Sequence, residues 1–129
     1  MRHLDPVSVA APFGAYSHGL VADCSRLVMT SGQLGIRADG TVPPGVSGQA
    51  EICFTAIEAI LAEAGLGLEH VMRVNAYVTR REHMAEYMVV RDRAFAHVDP
   101  KPCSTLMIVA GFTKPEFLVE VEAIAVTRA

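Results

Sequence analysis

The sequence contains no tryptophan, only three cysteines and no long run of apolar residues. The cysteines Cys24, Cys53 and Cys103 show no C-x-x-C spacing, which argues against a disulfide framework and against a zinc site. The five histidines are scattered and form neither an H-x-x-H nor an H-E-x-x-H pair, so we expect no metal. The apolar runs are well below the roughly 18 residues that a membrane span requires, so we expect no membrane partner.

Concentrated positive charge is also missing. The net charge is −3, the sequence pI is about 5.9, and the longest basic cluster is Arg80-Arg81. Because phosphate binding needs clustered lysine and arginine, we do not expect nucleic acid as a main partner. The N-terminal residues Met1 to Pro6 lack the apolar stretch of a signal peptide, so we expect a cytoplasmic location.

The apolar content is high for so short a chain. Half of the 129 residues are apolar and the mean hydropathy is +0.32. This length fits one domain with one core, which we assign to residues 1–129. We expect part of the apolar surface to face other subunits.

Hydrophobic periodicity predicts five strands and two helices. The predicted strands span 18–23, 26–33, 71–79, 104–110 and 117–127, with the first two forming a hairpin around Asp23-Cys24-Ser25. The first predicted helix begins near an N-cap at Ser47 and ends at Gly65 or Gly67; the second runs from Glu82 to His97. The order ββαβαββ predicts an α+β domain with one mixed sheet and both helices on one face.

Three short motifs stand out along the chain: Gly14-Ala15-Tyr16-Ser17-His18, Thr30-Ser31-Gly32-Gln33, and Val119-Glu120-Val121-Glu122-Ala123-Ile124-Ala125. Each motif is weak alone, but in this order and spacing they resemble the RidA/YjgF family over about residues 12–126. The resemblance implies a chorismate-mutase-like fold and a homotrimer with a central barrel and clefts between subunits. It also implies a cofactor-independent deaminase that acts on enamines and imines.

Glu120 and Glu122 lie two residues apart on the last predicted strand, so both point to the same face. The pair permits two interpretations: a solvated edge strand, or a carboxylate in a cleft with a raised pKa that can take a proton from water. The resemblance implies that Glu120 orients the hydrolytic water and that Glu122 makes a structural contact.

The resemblance also implies a set of substrate-binding residues. It assigns to the cleft Tyr16, Ser31, the backbone of Gly32, and the backbone near Thr105. From the sequence alone Tyr16 is a loop aromatic, and His18 is an inert surface or hydrogen-bonded residue. Ser31-Gly32 is either a turn without function or a point where the backbone closely approaches a ligand or another chain.

Cys103 is the main departure from the family, whose deaminases carry an arginine there that clamps the substrate carboxylate. Cys103 is then either a small residue in a cleft for a different ligand, or a nucleophilic thiolate activated by a nearby base or cation. Arg91 interrupts the apolar stripe of the second helix. It is either a snorkelling side chain or a replacement anion anchor.

These observations predict a small-molecule hydrolase that acts on an enamine, an imine or a related C–N compound. Without the arginine, small 2-imino acids are poor substrate candidates, and a pathway-specific compound fits better. The alternative is a trimeric module that binds a ligand or stabilises a protein without turnover. A third possibility, a ribonuclease role claimed for some relatives of the family, is disfavoured by the acidic pI.

Overall fold

The computed structural model describes residues 1–128 and contains seven strands and two helices in that range. The strands are β1 (Arg2–Leu4), β2 (Gly19–Val21), β3 (Cys24–Met29), β4 (Gln33–Leu34), β5 (Val71–Val78), β6 (Cys103–Ile108) and β7 (Val119–Arg128). The helices are α1 (Val46–Glu63) and α2 (His83–Ala94), and a short 3-10 turn (Leu68–His70) precedes β5.

The main sheet is mixed and is centred on its longest strand. Its order is β3–β7–β5–β6, and β4 pairs with β7 further along the same edge as β3. The β5–β6 pair is parallel, and the other pairs of this sheet are antiparallel. If β3 and β4 count as one interrupted strand and β1 is set aside, the order is the predicted ββαβαββ, so the predicted fold class is confirmed.

The predicted hairpin between residues 18–23 and 26–33 is wrong. Strand β2 pairs with β1 in a separate two-stranded sheet, whereas β3 pairs with β7, where Leu27 lies opposite Val126. A polar break shows where a strand ends but does not select its partner, and the ten residues of β7 offer a long edge for pairing. Strand β1 was missed because its sequence Arg2-His3-Leu4 is short, polar and exposed.

The helix ends differ slightly from the predicted ones. Helix α1 begins at Val46, with Gly45 rather than Ser47 as the N-cap residue. Gly65 follows the helix with a φ of +73°, a conformation that glycine adopts without strain, as predicted for the C-terminal end. Helix α2 ends at Ala94, three residues before His97.

The core lies between the sheet and the helices. Strand β7 contributes alternate residues to it, and Val119, Val121, Ala123 and Ala125 are at most 3% exposed. Helix α1 covers them with Ile57 and Leu61, and its Phe54 ring packs against Tyr87 of α2. Burying each such aliphatic side chain stabilises the fold by about 1.5–3 kcal/mol, and the same alternation leaves every other residue of β7 on the opposite face.

Much of the sheet face that points away from the helices is uncovered by residues 1–128, although Val126 at its end is buried. We call this sheet face the open face. Three large apolar side chains on it are more than half exposed: Leu27 (60%), Met29 (63%) and Met107 (54%). An uncovered apolar sheet face of this kind is typical of a surface that contacts another subunit.

Within residues 1–128, neither helix has the length and apolar character needed to cross a bilayer. The cytoplasmic location stays a prediction from the sequence.

Candidate functional site

Glu120 lies on the open face next to the connector between β3 and β4. Thr30 fixes this connector to β7: its backbone N–H donates to the Ala123 carbonyl (3.0 Å), and its hydroxyl accepts from the Ala123 N–H (3.1 Å). A β-carbon placed on Gly32 would lie 2.5 Å from Cδ of Glu120. Glycine at this position therefore lets the Glu120 carboxyl group pack directly against the backbone of Gly32.

The environment of Glu120 raises the pKa of its carboxyl group. Partial burial is the larger cause, and the negative charge of Glu122 adds to it. Glu122 itself accepts a hydrogen bond of 2.5 Å from the Tyr77 hydroxyl, whose pKa this contact raises. Among residues 1–128, no donor lies within hydrogen-bonding distance of the Glu120 side chain, so its carboxylate is available to water or a ligand.

The position of β7 decides between the two interpretations of this acidic pair. The strand lies between β5 on one side and β3 and β4 on the other, so the solvated-edge interpretation is wrong. Glu120 is opposite Leu34 of β4 and Tyr77 of β5 in the register. Its carboxyl group is half-buried because neighbouring strands flank it on both sides.

A buried amide fixes the chain just before Glu120. Gln49 of α1 is fully buried; its side-chain nitrogen donates to the carbonyls of Pro43 and Glu116, both at 2.8 Å. Its side-chain oxygen accepts from the backbone N–H of Leu118 at 2.9 Å. This one side chain therefore ties the start of β7 to α1, which restrains the strand two residues before Glu120.

A second group of predicted site residues lies at the start of β6. The backbone N–H of Ser17 donates to the Pro102 carbonyl (3.2 Å), and the Ser17 hydroxyl donates to the Lys101 carbonyl (2.5 Å). These bonds fix the segment that carries the half-buried Tyr16 to the residues just before β6. The His18 ring forms a hydrogen bond with the Ala10 carbonyl, as expected for a structural role.

Arg91 reaches this region from the helix side. Only 5% of the residue is exposed, so the snorkelling interpretation is wrong. Its guanidinium group donates twice to Asp92 (2.9 and 3.0 Å) and once to the Ser104 hydroxyl (3.3 Å). A β-carbon on Gly14 would lie 3.3 Å from the Tyr16 ring and 4.0 Å from the guanidinium, so Tyr16 and Arg91 are neighbours.

Cys103 faces the other way. Adjacent residues of a strand point to opposite faces, so Cys103 lies on the open face while Ser104 meets Arg91. Arg91 is therefore not located where an arginine side chain at position 103 would be. Thr105, two residues further, shares the open face with Cys103 and accepts a hydrogen bond from Arg73 of β5 (2.7 Å).

Sequence reasoning missed three residues of the open face: Arg73, Asn75 and Tyr77, all on β5. They alternate with the buried Val74, Ala76 and Val78, and this alternation was the available signal. The alternation does not predict the contacts of these three residues, because those contacts depend on which strands flank β5.

The two groups do not meet within one chain. Arg73 of β5 is paired with Cys103 of β6 on one side and with Ile124 of β7 on the other. Ile124 lies four residues from Glu120 along β7. With strands about 4.8 Å apart and about 3.3 Å per residue, Cys103 and Glu120 are separated by roughly 16 Å on the open face. A small molecule cannot contact both residues of the same chain.

Open surface pockets lie elsewhere. One of about 340 Å³ lies between α1 and α2 near Phe54 and Val90, and one of about 550 Å³ lies between α1 and the segment Ile36 to Ala38. Glu120 lines neither of them. In the same described range, no three histidine, cysteine, aspartate or glutamate side chains lie close enough together to hold a metal ion.

Residues 8–127 match the model of the protein family described as Endoribonuclease L-PSP. The chain belongs to this family. Solved members carry the names Rid family and YjgF/YER057c/UK114 family, so the predicted RidA/YjgF membership is confirmed.

Individual relatives agree in sequence and in fold. The putative reactive intermediate deaminase TdcF of Escherichia coli is 30% identical over 118 residues, which cover 90% of this chain and 89% of TdcF. The Rid family protein YyfB from Yersinia pestis superposes with a TM-score of 0.86 at 23% identity, over 98% of both chains. The structure of E. coli TdcF with bound serine gives a TM-score of 0.74 at 25% identity, over 98% of this chain and 99% of TdcF.

Proposed function

We propose that this protein is a small-molecule hydrolase of the deaminase type, which acts on an enamine, an imine or a related C–N compound. The observation that carries the proposal is Glu120, a half-buried carboxylate with a raised pKa, packed against Gly32 and without an internal donor. The relationship to a putative reactive intermediate deaminase supports the same reaction class.

In the proposed reaction, Glu120 accepts a proton from water while the water oxygen bonds to the electrophilic imine carbon. The C=N double bond becomes a single bond, and the nitrogen takes up the proton that Glu120 received from water. In the resulting carbinolamine the hydroxyl gives its proton to Glu120, which passes it to the nitrogen. The C–N bond then breaks as the C=O bond forms, which releases ammonia, leaves a carbonyl compound and returns Glu120 to its carboxylate form. An imine carbon is already electrophilic, so the reaction requires no cofactor.

The remaining predicted residues have binding roles in this proposal. Ser31 and the Gly32 backbone are next to Glu120 and would hold the polar part of the substrate. Tyr16 and the Thr105 backbone belong to the group at the start of β6. Cys103 acts as a small residue of the cleft, and Arg91, whose charge Asp92 balances, bonds to Ser104 rather than to the substrate carboxylate.

A homotrimer would complete the site. Glu120 and Cys103 are too far apart to act on one small molecule within a chain, and the open face exposes Leu27, Met29 and Met107. Association through this face would cover the apolar side chains and could bring Glu120 of one subunit near the β6 group of its neighbour. The self-association and the small-molecule substrate are both parts of the proposal.

Cys103 also supports a second candidate function, a trimeric module that binds a ligand without turnover. A site that lacks the bidentate clamp holds a small 2-imino acid less firmly and in a less defined orientation. Ribonuclease activity, which the family description names, is disfavoured because the net charge is −3 and the longest basic cluster is Arg80-Arg81.

The test is ammonia release from a panel of enamines and imines, together with the mass of the protein by sedimentation. We expect a mass near three times 13.8 kDa and turnover of at least one compound. For 2-iminobutyrate and 2-aminoacrylate we expect kcat/KM about 30- to 1000-fold below that of an arginine-bearing relative. A stable monomer would contradict the shared cleft, and a trimer that turns over nothing would favour the binding module.

A further inference from the structure

Arg73 is a fixed cation on the open face, directly beside Cys103. Its strand β5 runs parallel to β6, and the register pairs Arg73 with Cys103 and Asn75 with Thr105. Its Nε donates to the Asn75 side-chain oxygen (3.0 Å) and its Nη2 donates to the Thr105 hydroxyl (2.7 Å). Two bonds to neutral oxygens therefore hold the half-buried guanidinium in one orientation.

The positive charge of Arg73 has no acidic partner in the described part of the chain. No carboxylate oxygen lies within 4.0 Å of its guanidinium group, whereas Arg91 and Arg93 each contact one. A guanidinium group has five N–H donors, and two are used here, so three remain for a ligand. Arg91 differs because Asp92 already balances its charge.

The two ends of the open face differ in charge. Glu120, opposite Tyr77, makes one end acidic, and Arg73, opposite Cys103 and Ile124, makes the other end cationic. Glu122, opposite Asn75, lies between these two ends. Glu122 raises the pKa of the Tyr77 hydroxyl, and the charge of Arg73 opposes that shift. Within one chain Arg73 and Glu120 are too far apart to contact one small substrate, as for Cys103. In the proposed trimer, Arg73 of one subunit and Glu120 of its neighbour would match a substrate with a carboxylate at one end and a C=N group at the other.

We propose that Arg73 is the carboxylate anchor of this protein, supplied from β5 instead of from position 103 on β6. The inference rests on the proposed function, since it concerns the same cleft, and it defines the substrate class as anionic: an enamine or imine with a carboxylate. The Arg73 guanidinium reaches from β5 to the Thr105 hydroxyl of β6, so the carboxylate binds beside Thr105, two residues along β6 from position 103. From this displacement we expect small 2-imino acids to be poor substrates and an imino or enamine carboxylate of a different shape to be accepted.

The anchor can be tested by binding, without turnover. Isothermal titration calorimetry of the trimer with 2-oxobutyrate and 2-oxohexanoate is compared with their methyl esters, which lack the negative charge. We expect Arg73→Met to weaken binding of at least one 2-oxo acid by about 10- to 100-fold and to leave the esters unchanged. Arg73→Lys keeps the charge but loses the bidentate geometry, so we expect an intermediate loss.

Arg37→Met is the matched control. Arg37 also donates to a threonine hydroxyl, that of Thr41 (3.1 Å), but it lies in the loop before α1 and away from Cys103. We expect its removal to leave 2-oxo acid binding unchanged. Circular dichroism and sedimentation establish whether each variant is folded and assembled. If Arg73→Met does not fold, Arg73→Lys replaces it as the test variant.

The possible outcomes separate this inference from the proposed function. Three binding results would overturn the anchor: the acids and their esters bind equally, Arg37→Met weakens binding as much as Arg73→Met, or neither acid binds at millimolar concentration. Turnover that survives in Arg73→Met with unchanged KM would also overturn it and would leave the deaminase proposal intact. Arg73-dependent binding without any turnover would keep the anchor and reject the deaminase.

Discussion

The two faces of strand β7 differ in what they contribute to the protein. On the covered face, Val119, Val121, Ala123 and Ala125 are nearly or fully inaccessible and pack against α1. On the open face, Glu120 and Glu122 are half-buried and interact with the Gly32 backbone and with Tyr77. Alternate residues of β7 therefore contribute to the core and to the candidate site. Substitutions on the covered face should lower stability, and substitutions on the open face should lower activity.

The largest expected effect is on the open face. Glu120→Gln should lower the hydrolytic kcat/KM by about 10²- to 10⁴-fold, because glutamine has nearly the same shape but cannot accept a proton at neutral pH. Packing should survive, so the melting temperature and the sedimentation mass should stay close to the wild-type values. Ammonia release measured on the substrate found for the wild type is the direct assay.

Glu122→Gln is the internal control for this substitution, since Glu122 already accepts a bond from Tyr77. We expect it to change the rate much less. Full activity of Glu120→Gln would mean that water is activated elsewhere, and Cys103 would become the leading candidate. Alkylation of Cys103 by iodoacetamide would then be measured in a Cys24→Ser background, because Cys24 is also exposed.

An intermediate effect is expected on the covered face. Val121→Ala should lower the free energy of unfolding by about 2 kcal/mol, since it leaves a small cavity against α1. The activity per folded molecule should be unchanged, because Val121 points away from Glu120. Urea unfolding at matched protein concentration gives the first quantity, and ammonia release gives the second. A strong loss of activity without loss of stability would show that the two faces are not separable.

The smallest expected effect is a shift of the pH profile. Glu120 acts as a base only when deprotonated, so kcat/KM should fall as the pH decreases through its raised pKa. Glu122→Gln removes the smaller of the two causes of that shift. The inflection of the pH–rate profile should therefore move to lower pH while burial keeps it above the ordinary value for glutamate. An unmoved inflection would show that another group titrates.

Much of this arrangement follows from local sequence patterns. The two-residue spacing of Glu120 and Glu122 predicts their shared face, and the alternation in β5 predicts which residues are buried. Helix α1 could be predicted because its apolar residues recur every three or four positions and a glycine follows it. These features depend only on the geometry of a single helix or strand.

The contacts between distant segments could not be predicted in this way. The sequence suggests one continuous strand over 26–33, yet Thr30 binds Ala123 and breaks that strand at the point where Gly32 meets Glu120. A local polar break predicted a hairpin, whereas β3 found its partner in β7, about a hundred residues away. Strand partners are chosen by the whole packed sheet rather than by the turn between them.

The sequence by itself determined the family, the fold class, the face of Glu120 and the absence of an arginine at position 103. Only the tertiary structure decided that Arg73 lies beside Cys103, that Arg91 is balanced by Asp92 on the helix side, and that Glu120 is distant from the β6 group in one chain. The physical reason is that periodicity fixes the direction of each side chain relative to its own backbone. The neighbours of that side chain depend on strand pairing and register, which are set by contacts across the whole chain.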